Sequence, residues 1–234
     1  MNSEPEHFEV PHLNYKIHAS VQGPTNNLAL LLHGGGQSCA ARMQRLRNDL
    51  AERGVGTVAF DHLGHGLTGG ALEQNSLQGR IDETIAVVKQ LKEVQINGAI
   101  GMSMGGYVVA HLVAKLEFKG IVLLAPAAYN SKALNVPFTE AFTNIIRQHN
   151  SWVHSDVWQL LPLFTGRVLL ALGADDKVIP PGVIQLYQQS VCNSRDRRFE
   201  KLEGVGHMMM NDLRDRNDPR LNPLIDQIAE TVSA

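Results

Sequence analysis

Short and nearly continuous apolar runs recur along the chain, and segments with helical spacing separate them. Runs that are apolar on both faces are typical of strands buried on both sides of a parallel sheet. A weaker alternation over 15–23, which ends at a Gly-Pro pair, predicts an edge strand in a hairpin. The buried strands are predicted at 28–33, 57–61, 98–102, 120–126, 168–173 and 199–204.

Helical patterns fill the intervals between these runs. Over 76–94 the apolar residues are spaced by three or four, and Asn75 or Ser76 can cap the start. The alternation of strands and helices predicts a single doubly wound α/β domain over 1–234. Its sheet would be mostly parallel, with about eight strands and with ligands at their carboxyl ends. The stripe of the 76–94 helix is Leu77, Ile81, Ile85, Val88 and Leu91, and further helices are predicted at 104–117, 181–190 and 223–233.

One segment, 127–165, interrupts the alternation because it has no strand pattern. It is predicted to hold two helices, near 136–149 and 152–161. We expect it to form a small helical cap, inserted after the sixth strand, over the carboxyl edge of the sheet. Trp152 and Trp158 either shape the substrate mouth or pack the interior, and packing is the commoner role of tryptophan.

Composition narrows the classes of function. Hydrophobic residues make up 44% and charged residues 19% of 234 residues, with a net charge of −2. The basic residues are scattered, so neither nucleic acid nor an anionic membrane is expected as a partner. Two cysteines without metal-site spacing indicate free thiols in a reducing compartment. With no signal peptide and no membrane-length apolar run, we expect a cytoplasmic protein with a small-molecule substrate; the oligomeric state stays open.

Ser103 lies in Gly-Met-Ser-Met-Gly (101–105), between a predicted strand and a predicted helix. So tight a strand-to-helix turn crowds the residues beside the serine, and Gly101 and Gly105 would remove the clash. The hydroxyl would lie at a helix N-terminus, where the dipole favours developing negative charge. A dinucleotide loop would need glycine where Ser103 stands, and no Gly-Lys-Ser/Thr follows for a phosphate loop. Ser103 is therefore a candidate nucleophile, with a serine in a simple bend as the alternative.

A serine nucleophile needs a base, and the base needs an acid that fixes its tautomer. Among ten histidines, His207 is the candidate base because it follows the last predicted strand in a glycine-rich loop. Asp176 is the candidate acid, since it follows the strand at 168–173, but Asp175 is its neighbour. The alternatives are a packed loop histidine and a surface turn with two solvated aspartates.

An oxyanion site needs backbone N–H groups aimed at the developing charge. The N–H of Met104, directly after the candidate nucleophile, is one candidate donor. The second is Gly35 in His-Gly-Gly-Gly (33–36), with Gly36 possible. The chain order Ser, Asp, His, with each residue at a strand end, matches the α/β-hydrolase arrangement.

The sequence resembles the α/β-hydrolase superfamily, and within it the small capped serine hydrolases of esterase or thioesterase type. The resemblance rests on motifs at 33–36, 61–68, 101–106, 173–180 and 204–207. In such relatives the 61–68 stretch is chiefly structural, so Asp61, His62 and His65 are left out of the catalytic set. No cysteine or carboxylate cluster near these histidines completes a metal site. Relatives that dehalogenate or open epoxides have aspartate at the nucleophile position, where this chain has serine.

The leading hypothesis is a serine hydrolase that cleaves a small or medium carboxylic ester or thioester and needs no metal or organic cofactor. In comparison with such relatives, the short cap favours small or medium substrates. One alternative is a carbon–carbon bond hydrolase or an acyltransferase that uses the same triad. Another is a non-catalytic ligand receptor with a vestigial triad, because fold does not fix function.

Overall fold

A computed structural model describes residues 4–91 and 94–233. Its centre is an eight-stranded sheet in the order β1-β2-β4-β3-β5-β6-β7-β8. All neighbours from β4 to β8 are parallel, and only β2 pairs antiparallel, with β1 and β4. The predicted doubly wound, mostly parallel sheet is confirmed. The strands are β1 (Glu6–His12), β2 (Tyr15–Gln22), β3 (Leu28–Leu32), β4 (Gly56–Phe60), β5 (Ile96–Met102), β6 (Gly120–Leu124), β7 (Arg167–Gly173) and β8 (Asp196–Leu202).

The hairpin at the start of the sheet corrects one prediction. The strand predicted at 15–23 is not at the edge, because it pairs with β1 on one side and β4 on the other. The edge strand is β1, whose side chains are mostly exposed and which carries Pro11. Proline cannot donate a ladder hydrogen bond, and an edge strand tolerates it.

Helices cover both faces of the sheet. One buried core joins the sheet to α2, α3 and α6, and a second joins it to α1, α7 and α8. The predicted helix at 181–190 is confirmed with those bounds, whereas the one at 104–117 is shorter. The helices are α1 (Gln44–Glu52), α2 (Leu77–Gln90), α3 (Met104–Leu112), α4 (Glu140–Ile146), α5 (Val157–Leu160), α6 (Pro181–Ser190), α7 (Met209–Asp215) and α8 (Leu221–Val232).

The buried face of α2 differs from the predicted stripe. Ser76 is the N-cap, and its hydroxyl accepts a hydrogen bond from the N–H of Gly79 at 3.0 Å. Leu77 and Ile81 are buried as expected, but the face also buries Arg80 and Glu83. This helix therefore inserts a guanidinium and a carboxylate into the interior.

The charged stretch at 211–219, whose alternating charges are typical of a solvated loop, is partly helical because α7 extends into it. Its first half is helical, and Met209, Met210 and Leu213 are buried on one face. The charged residues occupy the other face, where Arg214 forms an ion pair with Asp49 of α1.

The segment between β6 and β7 is helical, as predicted, but it is divided into shorter pieces. Besides α4 and α5 it contains 3₁₀ turns at Ser131–Ala133, Ser151–His154 and Leu161–Leu163. Phe142 and Val157 belong to the same buried core as α3 and α6. The Nε1–H of Trp158 donates to the carbonyl of Trp152, and the Trp158 ring packs edge-on against that of Tyr187. The segment's role as a cap over the site stays a prediction.

Within the described ranges, no helix has the length and apolarity needed to cross a membrane.

Candidate active site

Ser103 occupies a strained turn between β5 and α3. Its φ of 52° and ψ of −115° lie in a region that side chains other than glycine rarely adopt. The surrounding backbone holds the turn, since the N–H of Ser103 donates to the carbonyl of Leu124 at 2.9 Å and its carbonyl accepts from Ala127 at 3.0 Å. The N–H of Met104 opens α3 and has no acceptor within the helix.

The glycines on either side of Ser103 are needed for close backbone approach. A Cβ on Gly101 would lie 2.4 Å from the carbonyl oxygen of Gly105. A Cβ on Gly105 would lie 2.4 Å from the carbonyl oxygen of Leu32, at the end of β3. The expected steric reason for the two glycines is confirmed.

Asp176 and His207 meet at the carboxyl ends of β7 and β8. His207 Nδ1 lies 2.8 Å from Asp176 Oδ2, and the Asp176 side chain is only 4% exposed. The other carboxylate oxygen accepts from the N–H groups of Val178 at 2.7 Å and Ile179 at 3.1 Å. Because the carboxylate only accepts, Nδ1 donates, and a neutral imidazole then leaves Nε2 free to accept a proton. Asp175, the alternative, is exposed.

A third glycine brings the loop of the acid and the loop of the histidine together. A Cβ on Gly173, the last residue of β7, would lie 2.1 Å from the carbonyl oxygen of Val205. The N–H of Asp175 also donates to that carbonyl, at 2.9 Å. On the other side, the N–H of Gly206 donates to Asp212 at 2.7 Å. His207 therefore stands on a loop fixed from both sides.

The glycine loop after β3 lies beside Ser103. A Cβ on Gly34 would be 3.4 Å from the Cβ of Ser103, and one on Gly35 would be 3.1 Å from the terminal methyl of Met104. The structure thus brings together the two candidate oxyanion residues, Gly35 and Met104. Gly36 is exposed, with φ of 63° and no atom near its missing Cβ.

Buried polar groups fix this loop from beneath. The carbonyl of Gly34 accepts from Arg80 Nη1 at 3.1 Å and from His33 Nδ1 at 2.7 Å. His65 Nδ1 donates to the carbonyl of Ser38 at 2.9 Å, while Nε2 accepts from Arg80. A guanidinium cannot accept, so this arrangement requires neutral His65 with its proton on Nδ1.

The electrostatics of the network agree with that protonation state. Burial and the neighbouring Arg80 charge lower the pKa of His65 to about 4. Burial also lowers the pKa of Arg80 to about 10, so it remains charged at neutral pH. Burial alone would raise the pKa of Glu83, but hydrogen bonds from His62, Tyr15 and Leu63 bring it down to about 2. The 61–65 stretch therefore contributes to a buried network of polar and charged side chains, in agreement with its expected structural role. This network, called the brace below, consists of His62, His65, Arg80 and Glu83.

Ser103, His207 and Gly35 line one cavity of about 260 Å³. In the described part of the chain, none of its lining residues comes from 127–165. The opposite walls come from the loop before α1, the end of β5 and the start of α7, through Gln37, Ser38, Arg42, Met102, Met208 and Met209. Among the described residues, the cavity is therefore bounded by the side of the protein that carries α1 and α7 and not by the inserted helices.

The sequence matches the model of the family described as serine aminopeptidase, S33, over residues 23–155, which is more than half of the chain. The chain belongs to this family of α/β-hydrolases. A comparison with curated proteins finds no match.

Solved structures of other hydrolases share the fold of this α/β-hydrolase. Est1E from Butyrivibrio proteoclasticus, in a structure with bound ferulic acid, has a TM-score of 0.74 at 21% identity, covering 96% of this chain and 99% of that one. An esterase from Exiguobacterium antarcticum has a TM-score of 0.70 at 18% identity, covering 93% and 98%. The monoacylglycerol lipase of Paleococcus ferrophilus has a TM-score of 0.69 at 17% identity, covering 90% and 98%. At these identities the likeness shows the fold.

Sequence reasoning missed some residues at and beneath the candidate site. Arg80, Glu83 and Arg42 were not singled out, because charged residues on a helix or in a loop are usually solvated. The signal for Arg80 and Glu83 was their position on the apolar face of α2, three and six residues after Leu77. No comparable signal in the sequence marks Arg42.

Proposed function

We propose that this hydrolase is a serine hydrolase that cleaves a small or medium carboxylic ester or thioester through an acyl-enzyme. One observation carries the proposal: a strained Ser103 and a His207 hydrogen-bonded to Asp176 line the same cavity. The N–H groups of Gly35 and Met104 would form the oxyanion site beside it.

In the proposed mechanism, Ser103 Oγ attacks the carbonyl carbon while His207 takes the hydroxyl proton. Asp176 holds the imidazole in the required tautomer and stabilises the imidazolium. The tetrahedral intermediate collapses, and His207 returns the proton to the departing alkoxide or thiolate. Water then adds to the acyl-enzyme with His207 as base, which releases the carboxylic acid and regenerates the serine.

The family's description also raises peptide hydrolysis from an amino terminus as a second candidate. An aminopeptidase site needs an acidic group for the substrate's ammonium. The residues that line the Ser103 cavity in the described part of the chain include no Asp or Glu. This favours an ester or thioester over a peptide with a free amino terminus.

A fluorophosphonate probe tests the nucleophile. Wild type and Ser131→Ala, which changes an exposed serine on the inserted segment, should both be labelled, whereas Ser103→Ala should not. Turnover of a short p-nitrophenyl ester should fall on the order of 10⁶-fold in Ser103→Ala alone. Equal labelling of all three proteins would remove Ser103 from the mechanism. Tight ligand binding by an unlabelled wild type would favour the non-catalytic alternative, and cleavage of a β-diketone without ester turnover would favour the carbon–carbon hydrolase.

A further inference from the structure

A smaller cleft of about 50 Å³ lies beside α1 and α7, next to the cavity at Ser103. Ser38, Arg42, Met102 and Met208 line both spaces, so the two adjoin. Together they are at the small end of ligand pockets, which suits a substrate with few atoms beyond its scissile bond. A substrate group that reaches beyond the scissile bond into this cleft would therefore lie beside α1 and α7.

The walls of this cleft are largely apolar. Met43, Leu46 and Met210 are buried in it, and the side chain of Met208 is 48% exposed directly after His207. Methionine is flexible and polarisable, so such a wall adapts to short alkyl or alkenyl groups.

The charged side chains that line the cleft in the described part of the chain are all positive, although the whole chain has a net charge of −2. Three arginines, Arg42, Arg45 and Arg214, line it, and no Asp or Glu does among the residues that the structure describes. Arg214 is neutralised by its ion pair with Asp49. The exposed side chains of Arg42 and Arg45 make no hydrogen bond or ion pair within 4–91 and 94–233. Unpaired guanidinium groups beside a low-dielectric wall attract anions.

We propose that the substrate carries an anionic group, a carboxylate or a phosphate, and that Arg42 binds it while the apolar part lies on the methionine wall. Arg42 is assigned this role because it alone of the three arginines lines both spaces. It is a specificity-determining residue that binds the substrate away from the reacting bond. This inference rests on the proposed ester or thioester hydrolysis.

Two substrate pairs separate the possible sources of the anion. p-Nitrophenyl butyrate and the mono-p-nitrophenyl ester of succinic acid differ by a carboxylate in the acyl group. Butyryl-pantetheine and butyryl-4′-phosphopantetheine differ by a phosphate in the leaving group. Each pair is assayed for kcat/KM with wild type, Arg42→Gln and the control Arg147→Gln, whose exposed arginine follows α4 and lines neither space.

We expect wild type and Arg147→Gln to prefer the anionic member of one pair by about tenfold, as one charge-assisted hydrogen bond at an exposed site provides. Arg42→Gln should lose that preference through a raised KM for the anionic member of the pair. Added salt should weaken the preference in wild type, because the site is open to solvent. Equal rates on neutral and anionic members of both pairs, or a preference that persists in Arg42→Gln, would overturn the assignment of Arg42. Absence of probe labelling and of all ester turnover in wild type would instead overturn the proposed function, and this inference with it.

Discussion

Asp176→Asn tests the proposed role of Asp176 as the acid of the triad, and the surroundings of its carboxylate determine the expected result. One oxygen accepts from the N–H groups of Val178 and Ile179, and the other faces His207 Nδ1. The introduced amide must keep its oxygen toward the two N–H groups, since its NH₂ would meet two donors there. The NH₂ then faces Nδ1, which becomes an acceptor, and the proton moves to Nε2. In this tautomer the imidazole cannot take the proton of Ser103.

The expected loss is about 10⁴-fold in kcat, the cost of the wrong tautomer in a serine triad, or about 5.5 kcal/mol of transition-state stabilisation. The oxygen-side hydrogen bonds survive, so the denaturation midpoint should change little. The control is Asp175→Asn, since Asp175 is exposed and its backbone N–H, not its side chain, makes the loop's hydrogen bond. Ester turnover and the rate of fluorophosphonate labelling are measured for both variants. A folded Asp176→Asn that keeps kcat within tenfold of wild type would refute the tautomer reasoning.

Two further predictions concern the brace under the glycine loop. Arg80→Gln should lower kcat by roughly 10- to 100-fold with little change in KM, because the carbonyl of Gly34 loses a charged donor and the proposed oxyanion donors lose their position. The variant should also be inhibited more weakly by a trifluoromethyl ketone. An unchanged kcat in the folded variant would exclude a positioning role for Arg80. The pKa of His65 is 6.5 in the unfolded chain and about 4 in the folded protein, so the unfolded chain binds the proton first as pH falls. The free energy of unfolding should therefore decrease as pH drops from 6.5 toward 4. Urea midpoints at pH 7.5, 5.5 and 4.5 measure this loss, which should be shallower in His65→Gln; an equal slope in both proteins would contradict it.

The sequence predicted the elements whose signal is local. The buried parallel strands are continuous apolar runs, and Gly101 and Gly105 mark the turn at Ser103 because a Cβ at either position would collide with backbone. The placement of β1 was missed since an edge strand with polar side chains and a proline lacks a strong pattern. Helix α7 was missed because its apolar stripe begins in the methionine run beside His207, whereas its charges suggested a loop.

The same distinction between local and long-range signals applies to the candidate site. Ser103, Asp176 and His207 each follow a strand, so the parallel order of the sheet is enough to bring them to one edge. Which aspartate faces His207, and which side of the sheet lines the cavity, depends on contacts between segments distant in sequence. Neither propensity nor periodicity carries that information. The same holds for Arg80, whose partner on the glycine loop, Gly34, lies 46 residues before it.

The proposed base, His207, and one residue of the proposed methionine wall, Met208, are consecutive in the chain. His207 contacts Asp176, and the next side chain, Met208, lines both the cavity and its outer cleft. A substrate that covers Met208 would remove water from the imidazole that takes the Ser103 proton in the proposed mechanism, and a low dielectric strengthens the hydrogen bond to Asp176. The length of the acyl chain that lies along the methionine wall should therefore change kcat as well as KM. The anionic group at Arg42, farther from the reacting bond, should change mainly KM. Separate kcat and KM values across an acyl-length series distinguish these contributions.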